Sequence, residues 1–279
     1  MIRQPICSKW IRLLSGFVFY MHAYGQPSHL QSGNSYFTTG AYSIHFTDAF
    51  SFTSNPACLG TIQCLQLGLL SERKWMLEEL DDHEMAASVN MGKGGLGIAL
   101  KYSGDLAYSE EGLQLGYGKN LGKLEIGFDF DYLHARAAGY ESFGFAALGI
   151  GIRYHVSEKL ITGWAVELPG FGKAGKMHTE KGPQTFRSGF GYELRPDLFM
   201  ALEVEKFSGL PMNVIYSVDY KYGEQLFFTF GINSLAGAPY FKSGWQKNRL
   251  RIQIYLLYEP VLGFSPGLTL LWESKNRKR

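Results

Sequence analysis

The sequence predicts an all-β fold, a transmembrane antiparallel up-and-down β-barrel of about 14 strands. Three features of the 279-residue chain support it: strict alternation of apolar and polar side chains, alternation of turn length, and aromatic residues at the strand ends. Outside the N-terminus, no stretch approaches the ~18–20 consecutive apolar residues of a membrane-spanning helix. The formal net charge of +2 gives no reason to expect nucleic acid as a partner.

Alternation is clearest in "KLEIGFDFDY", residues 123–132. A strand with this pattern has one apolar and one charged face. The charged face meets solvent in a soluble protein, whereas it lines the lumen in a membrane barrel. We therefore expect Phe128 and Phe130 to face lipid, and Asp129 and Asp131 to face the lumen.

The breaks between the strand candidates, which run from 61–71 to 266–273, alternate in length. One set is short: 92–94, 120–122, 157–158, 195–197, 223–224 and 247–248. The other set is longer: 72–83, 104–110, 135–141, 169–183, 207–212, 234–238 and 259–265. Short turns at one end and longer loops at the other are typical of outer-membrane barrels, in which the tight turns lie in the periplasm.

Aromatic residues fall near the strand ends on the apolar face, where amphipathic rings sit at the level of the lipid headgroups. Three lie at the predicted outer ends: Tyr102, Tyr132 and Tyr258. Six lie at the inner ends: Tyr117, Tyr154, Tyr192, Tyr222, Trp245 and Trp272. A soluble core would instead collect its aromatic side chains in the middle of the strands.

Glycines and charges of both signs share the opposite face. Glycine weakens a strand, so its frequency there favours a narrow lumen occupied by a plug. Charges of both signs are able to pair in such a space. The predicted lumenal network consists of Lys101, Glu125, Asp129, Asp131, Arg153, Glu167, Arg187, Glu193 and Arg251.

The N-terminus has the form of a cleaved signal peptide, residues 1–25, with an apolar stretch at 13–23 and small residues at Ala23 and Gly25. Residues 26–60 lack a sustained period and form a separate periplasmic or lumenal segment. The barrel spans 61–273, and 274–279 form a basic periplasmic tail. An even strand number places both termini in the periplasm of an integral bacterial outer-membrane protein, surrounded by outer-membrane lipids.

Cys58 and Cys64 remain after removal of the signal peptide. They are close enough in sequence to form a disulfide in an oxidising compartment. They fit equally well as two small apolar side chains, and the sequence leaves both possibilities open.

The segment "AYSIHFTDAFSFTSNPACLG", residues 41–60, resembles the FadL/PorV-like barrels through an Asp in a Gly/Ala/Ser/Phe-rich stretch followed by Asn55-Pro56-Ala57 before strand one. These barrels include long-chain fatty-acid transporters and the PorV, PorQ and PorP-type proteins of type IX secretion. The resemblance implies a lumen plugged by an N-terminal hatch, residues 26–60, without a cofactor. The hatch or ligand-lining residues would be Phe46, Asp48, Phe50, Phe52, Asn55 and Pro56.

The loop "ERKWMLEELDDHE", residues 72–84, combines an acidic run with an apolar patch. The patch consists of Trp75, Met76, Leu77 and Leu80. An exposed patch of this kind contacts a partner or the outer leaflet. Alternatively, the loop folds back over the barrel mouth as a lid.

No motif predicts catalysis. "GFSPG", residues 263–267, matches G-x-S-x-G, but Pro266 lacks the N–H that an oxyanion hole needs. "GKGGLG", residues 92–97, matches G-x-G-x-x-G without a βαβ unit around it. His155 and Ser157 are two residues apart and have no evident third partner. The seven histidines show no metal-binding spacing.

Two functions follow from the resemblance. The first is a non-enzymatic PorV-like accessory subunit of a larger outer-membrane secretion or assembly complex. The second is a FadL-like transporter of small hydrophobic molecules. An apolar cavity inside the hatch would favour the transporter, whereas a lumen closed by salt pairs would favour the subunit.

Overall fold

The computed structural model describes residues 38–140, 142–169, 171–174, 178–181, 184–235 and 237–274. The predicted signal peptide, residues 26–37 of the predicted hatch and residues 275–279 of the basic tail lie outside them. In the described part of the chain, no helix is long and apolar enough to cross a membrane.

Strands dominate the described residues, and they form one sheet. Their bounds are β1 Gln66–Arg73, β2 Asp81–Asn90, β3 Gly94–Gly104, β4 Tyr108–Asn120, β5 Leu124–Ala137, β6 Phe143–His155, β7 Leu160–Pro169, β8 Phe171–Ala174, β9 His178–Lys181, β10 Thr185–Arg195, β11 Leu198–Phe207, β12 Met212–Tyr222, β13 Leu226–Asn233, β14 Ala238–Lys247, β15 Leu250–Glu259 and β16 Gly263–Glu273. The remaining elements are short 3₁₀ helices at Thr39–Tyr42, Ser51–Thr53, Pro56–Thr61, Lys74–Met76 and Glu78–Leu80.

The sheet closes into a barrel, as predicted. Each long strand pairs antiparallel with its neighbours in the chain, and β1 pairs with β16 from Gln66↔Glu273 to Glu72↔Gly267. β7 pairs directly with β10, so β8 and β9 stand outside the ring as a short hairpin. Fourteen of the 16 strands therefore form the wall. The sequence pattern missed this hairpin in the 169–183 loop.

The wall has the predicted facing. In β5, Phe128 is 51 % exposed on the outside, whereas Asp129 is 9 % exposed on the inside. The outward rings near the strand ends are exposed as expected for two aromatic rows, for example Tyr102 and Tyr132 at one end and Tyr154 at the other. An apolar outer surface of this kind is what a barrel presents to lipid.

The structure differs from the sequence prediction at the start of strand one and in the turn lengths. Strand β1 begins at Gln66, five residues after the predicted start, because Pro56–Thr61 forms a 3₁₀ helix. The alternation of turn length is only partial, because four loops of the long set, 105–107, 208–211, 234–237 and 260–262, are no longer than the tight turn 156–159. We call the end with turns 91–93, 121–123, 156–159, 196–197, 223–225 and 248–249 the tight-turn end, and the opposite end the long-loop end.

Candidate functional site

Residues 38–62, here called the lumenal segment, lie inside the tight-turn half of the barrel. Phe50 and Phe52 are each 1 % exposed and are buried against inward-facing glycines. A Cβ on Gly68 would come within 2.5 Å of Phe50, and one on Gly97 within 3.0 Å of Phe52. The inward glycines therefore make room for the segment, which is the physical reason for their frequency on this face.

Backbone of the segment approaches the wall most closely at Pro56. A Cβ on Gly127 would come within 2.3 Å of the Pro56 carbonyl carbon, and one on Gly151 within 2.2 Å of Asn55 Oδ1. Such distances leave no space for any side chain. These two positions require glycine if the segment is to keep its place.

Asn55 ties the segment to the wall and also begins its third helix. Its Oδ1 accepts a hydrogen bond from Ala57 N (3.0 Å), and its Nδ2 donates to the carbonyls of Ile152 and Trp164 at 3.3 Å each. An Asn at this cap satisfies an otherwise free N–H at the helix start. The sequence analysis placed Asn55-Pro56-Ala57 directly before strand one. In the structure, Asn55 and Pro56 instead begin a 3₁₀ helix in the lumen, and strand one starts later, at Gln66.

Arg153 is the central anchor. It is fully buried and forms an ion pair with the fully buried Glu125, with Nε to Oε2 at 2.6 Å. Its other nitrogens donate to Ala41 O (2.7 Å) and Thr61 Oγ1 (2.8 Å) of the lumenal segment. A buried guanidinium needs this degree of bonding, because an unpaired buried charge is costly. The wall and both ends of the segment therefore meet at one side chain.

Glu193 forms a second anchor near the same end. Its Oε1 accepts from Ser43 Oγ (2.5 Å) and Ile44 N (2.7 Å), and His45 Nδ1 lies 2.6 Å from its Oε2. His155 similarly bonds Glu125, with Nε2 2.7 Å from Oε1. Glu193 therefore holds residues 43–45 directly. Glu125 holds Ala41 and Thr61 through Arg153.

The remaining predicted hatch residues have local roles. Phe46 is partly buried and stacks on Phe199, with ring centroids 5.5 Å apart. Asp48 accepts hydrogen bonds from Phe50 N and Ser51 Oγ within the segment.

A cavity of about 40 Å³ lies beside the segment, between Phe46 and Asp48 and the side chains of Asp219, Lys242 and Arg251. It has room for one or two water molecules. Its lining is mainly polar, and it is not the apolar cavity that a transported hydrophobic molecule would need in this state.

The long-loop half holds most of the other predicted network residues. Arg187 Nε pairs with Glu205 Oε1 at 2.8 Å, and Lys101 Nζ lies 3.7 Å from Glu84 Oε2. Asp129 accepts from Gln114 Nε2 at 3.0 Å. We define the carboxylate cluster of this half as Asp129, Asp131, Glu167, Glu203 and Glu205.

Arg251 departs from the expected pattern of pairing. Its guanidinium lies over the Phe227 ring at 4.6 Å from the centroid, a cation–π contact. The sequence reasoning missed Ala41, Ser43 and Thr61 as partners of the network. Ala41 contributes a backbone carbonyl, and Ser43 and Thr61 each contribute a side-chain hydroxyl. No sequence pattern indicates which of these oxygen atoms a buried side chain will contact.

The residues of the predicted apolar patch in the 74–80 loop do not lie together on one exposed surface. Trp75 is partly buried and donates its backbone N–H to Ser265 Oγ at 3.0 Å, while Lys74 pairs with Asp82 at 2.5 Å. Met76 and Leu77 remain exposed, at 63 % and 48 %. One part of the loop therefore folds back on the wall, and the other part is free for contact.

The rejected catalytic motifs have structural roles. Ser265 of "GFSPG" lies at the start of β16 and accepts the Trp75 N–H. His155 bonds Glu125, whereas Ser157 Oγ accepts from Lys159 N and Leu160 N in its own turn. Among the described residues, no group of three or more His, Cys, Asp or Glu is arranged to hold a metal ion. Cys58 and Cys64 are both free thiols.

Comparison with known proteins identifies the fold. No protein-family model matches the chain, and no curated protein matches it. Among solved structures, the P. putida toluene transporter TodX aligns with a TM-score of 0.57 at 11 % identity, over 81 % of this chain and 93 % of TodX. A Pseudomonas aeruginosa FadL homologue aligns with a TM-score of 0.57 at 7 % identity, over 81 % and 94 % of the two chains. The chain has a FadL-like barrel fold.

Proposed function

We propose that this protein is a non-enzymatic barrel of the bacterial outer membrane that passes small hydrophobic molecules through its lumen, with the lumenal segment as the gate. The proposal rests on the observation that the lumenal segment, which is not part of the barrel wall, fills the tight-turn half of the lumen. The glycine-lined wall leaves that space to the segment. Displacing residues 38–62 would therefore open the tight-turn half without rebuilding the barrel.

The comparison supports the same function. TodX, whose fold this chain shares, is described as a toluene transporter and monoaromatic hydrocarbon channel. At 11 % identity this likeness concerns the fold, so the choice of a hydrocarbon for this chain is our proposal. The tight-turn end and both termini would lie in the periplasm, and the first 25 residues would be removed as a signal peptide.

A disulfide between the segment and the wall tests the gate directly. Thr39 Oγ1 and Ser217 Oγ are 2.8 Å apart, so cysteines at both positions are placed to bond. In a background without Cys58 and Cys64, Thr39→Cys/Ser217→Cys should take up labelled toluene only after reduction. Each single substitution should transport with or without reductant. Uptake by the oxidised double variant would show that the segment is not the gate, and no uptake by the native chain would reject transport itself.

The accessory-subunit function remains a second candidate because one observation favours it. The tight-turn half is closed by the buried Arg153–Glu125 pair, and the cavity beside the segment is small and polar. A permanently closed barrel suits a subunit that serves a larger PorV-type assembly. The exposed Met76 and Leu77 would then contact a partner or the outer leaflet.

Affinity purification in mild detergent from the native outer membrane separates the two candidates. Proteins that co-purify in stoichiometric amounts would identify a subunit of a complex. A barrel that purifies alone, with bound apolar molecules, would support transport. Met76→Ser/Leu77→Ser should abolish co-purification if the loop is the contact.

A further inference from the structure

The hydrogen bonds that anchor the lumenal segment are concentrated on one side of the barrel. They reach Arg153 and the Ile152 carbonyl of β6, the Trp164 carbonyl of β7 and the Glu193 carboxylate of β10. Strands β6, β7 and β10 are direct neighbours in the sheet. The strongest attachments of the segment therefore share one part of the wall.

The inward glycines of the tight-turn half show the same asymmetry. Glycines of β1, β3 to β7 and β10 lie against the lumenal segment; a Cβ on Gly189, for example, would come within 2.6 Å of the Tyr42 ring. On β13, a Cβ on Gly231 would instead come within 2.2 Å of Tyr240, a residue of the wall. Inward glycines of β14 and β16 are likewise covered by side chains of β15. Side chains of the wall thus occupy space that the segment occupies on the other side.

A crevice separates the segment from strands β12 to β15. It is the cavity of about 40 Å³ described above, with residues 38–40, 46 and 48 on the segment side. Two contacts cross it. Thr39 Oγ1 and Ser217 Oγ form a hydrogen bond of 2.8 Å, and an electrostatic interaction links Asp48 to Lys242. The segment meets this wall through polar contacts beside a space with room for water.

Contacts beside such a space are easier to exchange for water than contacts within dry packing. Hydroxyl and charged groups at the crevice keep a hydrogen-bond partner when the segment moves away, because water takes the vacated position. Arg153 is fully buried, and loss of the Ala41 carbonyl would leave a buried charge with fewer partners. Movement of the segment should therefore begin at the crevice while the anchors hold.

We propose that the lumen opens on one side only, along strands β12 to β15. Residues 38–40 and 46–48 move away from this wall, whereas residues 50–62 stay packed against the glycines. The widened crevice is then the passage, and Phe46 and Phe227, which already line it, supply apolar surface on its two sides. This inference rests on the proposed transport function and specifies where in the lumen the passage lies.

Thiol labelling at two inward wall positions tests the side of opening, in the background without Cys58 and Cys64. Thr229→Cys places a thiol in the crevice, and Ser88→Cys places one on β2, on the packed side. The two are matched, because each replaces a buried hydroxyl, 6 % and 1 % exposed. N-ethylmaleimide should label Thr229→Cys in the folded barrel at least ~10-fold faster than Ser88→Cys, since local opening exposes only the crevice.

A further substitution tests the contact across the crevice. Thr39→Val removes the hydroxyl that bonds Ser217, and it should raise the labelling rate of Thr229→Cys without changing that of Ser88→Cys. Labelled Thr229→Cys should lose most of its toluene uptake, because the reagent then occupies the passage. The Ser88→Cys barrel, treated in the same way, should keep its uptake.

The outcomes distinguish this inference from the proposed function. Equal labelling rates at the two positions, or an equal rise at both after Thr39→Val, would overturn one-sided opening. Native toluene uptake by labelled Thr229→Cys would show that the passage lies elsewhere. No uptake by the native chain would reject transport; faster labelling at Thr229→Cys would then still support the opening, and equal rates would overturn it. Gln253→Cys, also in the crevice, replaces Thr229→Cys if that variant does not fold.

Discussion

The two halves of the lumen use inward charged side chains for different contacts. In the tight-turn half, the buried Arg153–Glu125 pair is closed by hydrogen bonds to the lumenal segment. In the long-loop half, Arg187 pairs with Glu205 of the next strand, and Lys101 lies 3.7 Å from Glu84 of its neighbouring strand. The first arrangement holds the lumenal segment in place, whereas the second joins side chains of neighbouring wall strands. Inward charge in one barrel therefore anchors the lumenal segment at one end and links strands of the wall at the other.

The largest effect should come from breaking the anchor of the tight-turn half. Arg153→Leu leaves Glu125 buried without its partner, and we expect a loss of about 3–5 kcal/mol in the free energy of unfolding. Urea unfolding of the barrel in lipid vesicles measures it. Arg195→Leu is the matched control, because Arg195 is 58 % exposed in its pair with Asp197 and should cost only ~0–1 kcal/mol.

A double-mutant cycle separates anchoring from general damage. Arg153→Leu/Glu125→Gln removes both charges and should be less destabilised than Arg153→Leu alone, because no buried charge is left unpaired. Equal destabilisation by the single and the double substitution would argue against an uncompensated carboxylate as the cause.

A charge on the lipid-facing side should have the next largest effect. Phe128→Arg places a guanidinium on the apolar outer wall and should cost ~2–4 kcal/mol if the site lies near the bilayer midplane. Leu121→Arg, at a tight turn with the same exposure (52 % against 51 %), should cost ~0–1 kcal/mol because it lies at the interface. The same urea measurement compares them, and equal costs would contradict the proposed depth of the two sites.

Inward glycines allow the two halves to be compared with one chemical change. Gly127→Ala forces a methyl group against the Pro56 backbone, and we expect about 1–3 kcal/mol of destabilisation from overpacking. Gly112→Ala, in the long-loop half, meets Lys101 Cβ at 3.3 Å and Leu133 Cδ1 at 3.8 Å, which need to move by only a few tenths of an ångström, and should be much less destabilising. If both variants unfold at the native urea concentration, the segment is not packed tightly against the wall.

The sequence predicted the wall well because side-chain alternation in a strand is a local property. It failed at the start of β1, since Asn55-Pro56 signals a turn without specifying whether a strand or a 3₁₀ helix follows. It also missed the pairing in the lumen. Arg153 was predicted as part of a network, but its partners include the Ala41 carbonyl. Such a contact depends on the path of the lumenal segment across the barrel, which no spacing in the sequence encodes.

The smallest expected effect, a difference in cysteine labelling, reports most directly on whether the lumenal segment is in place. Cys58 lies fully buried in the lumenal segment, and burial raises the pKa of its thiol to about 12, whereas Cys64 is only partly buried. The thiolate is the reactive form, and a pKa of about 12 leaves roughly 10⁻⁴ of it at pH 8. Iodoacetamide at pH 8 should therefore label Cys64 and spare Cys58, with mass spectrometry of the peptides as the readout.

Iodoacetamide labelling of Cys58 also detects displacement of the lumenal segment from the barrel. If Arg153 holds the segment, Arg153→Leu should allow Cys58 to be labelled under conditions in which the barrel itself stays folded, as shown by its heat-dependent migration on a gel. The Arg195→Leu control should protect Cys58 as the native chain does. Protection of Cys58 in the folded Arg153→Leu barrel would mean that the glycine-lined packing, rather than the buried ion pair, keeps the segment in the lumen.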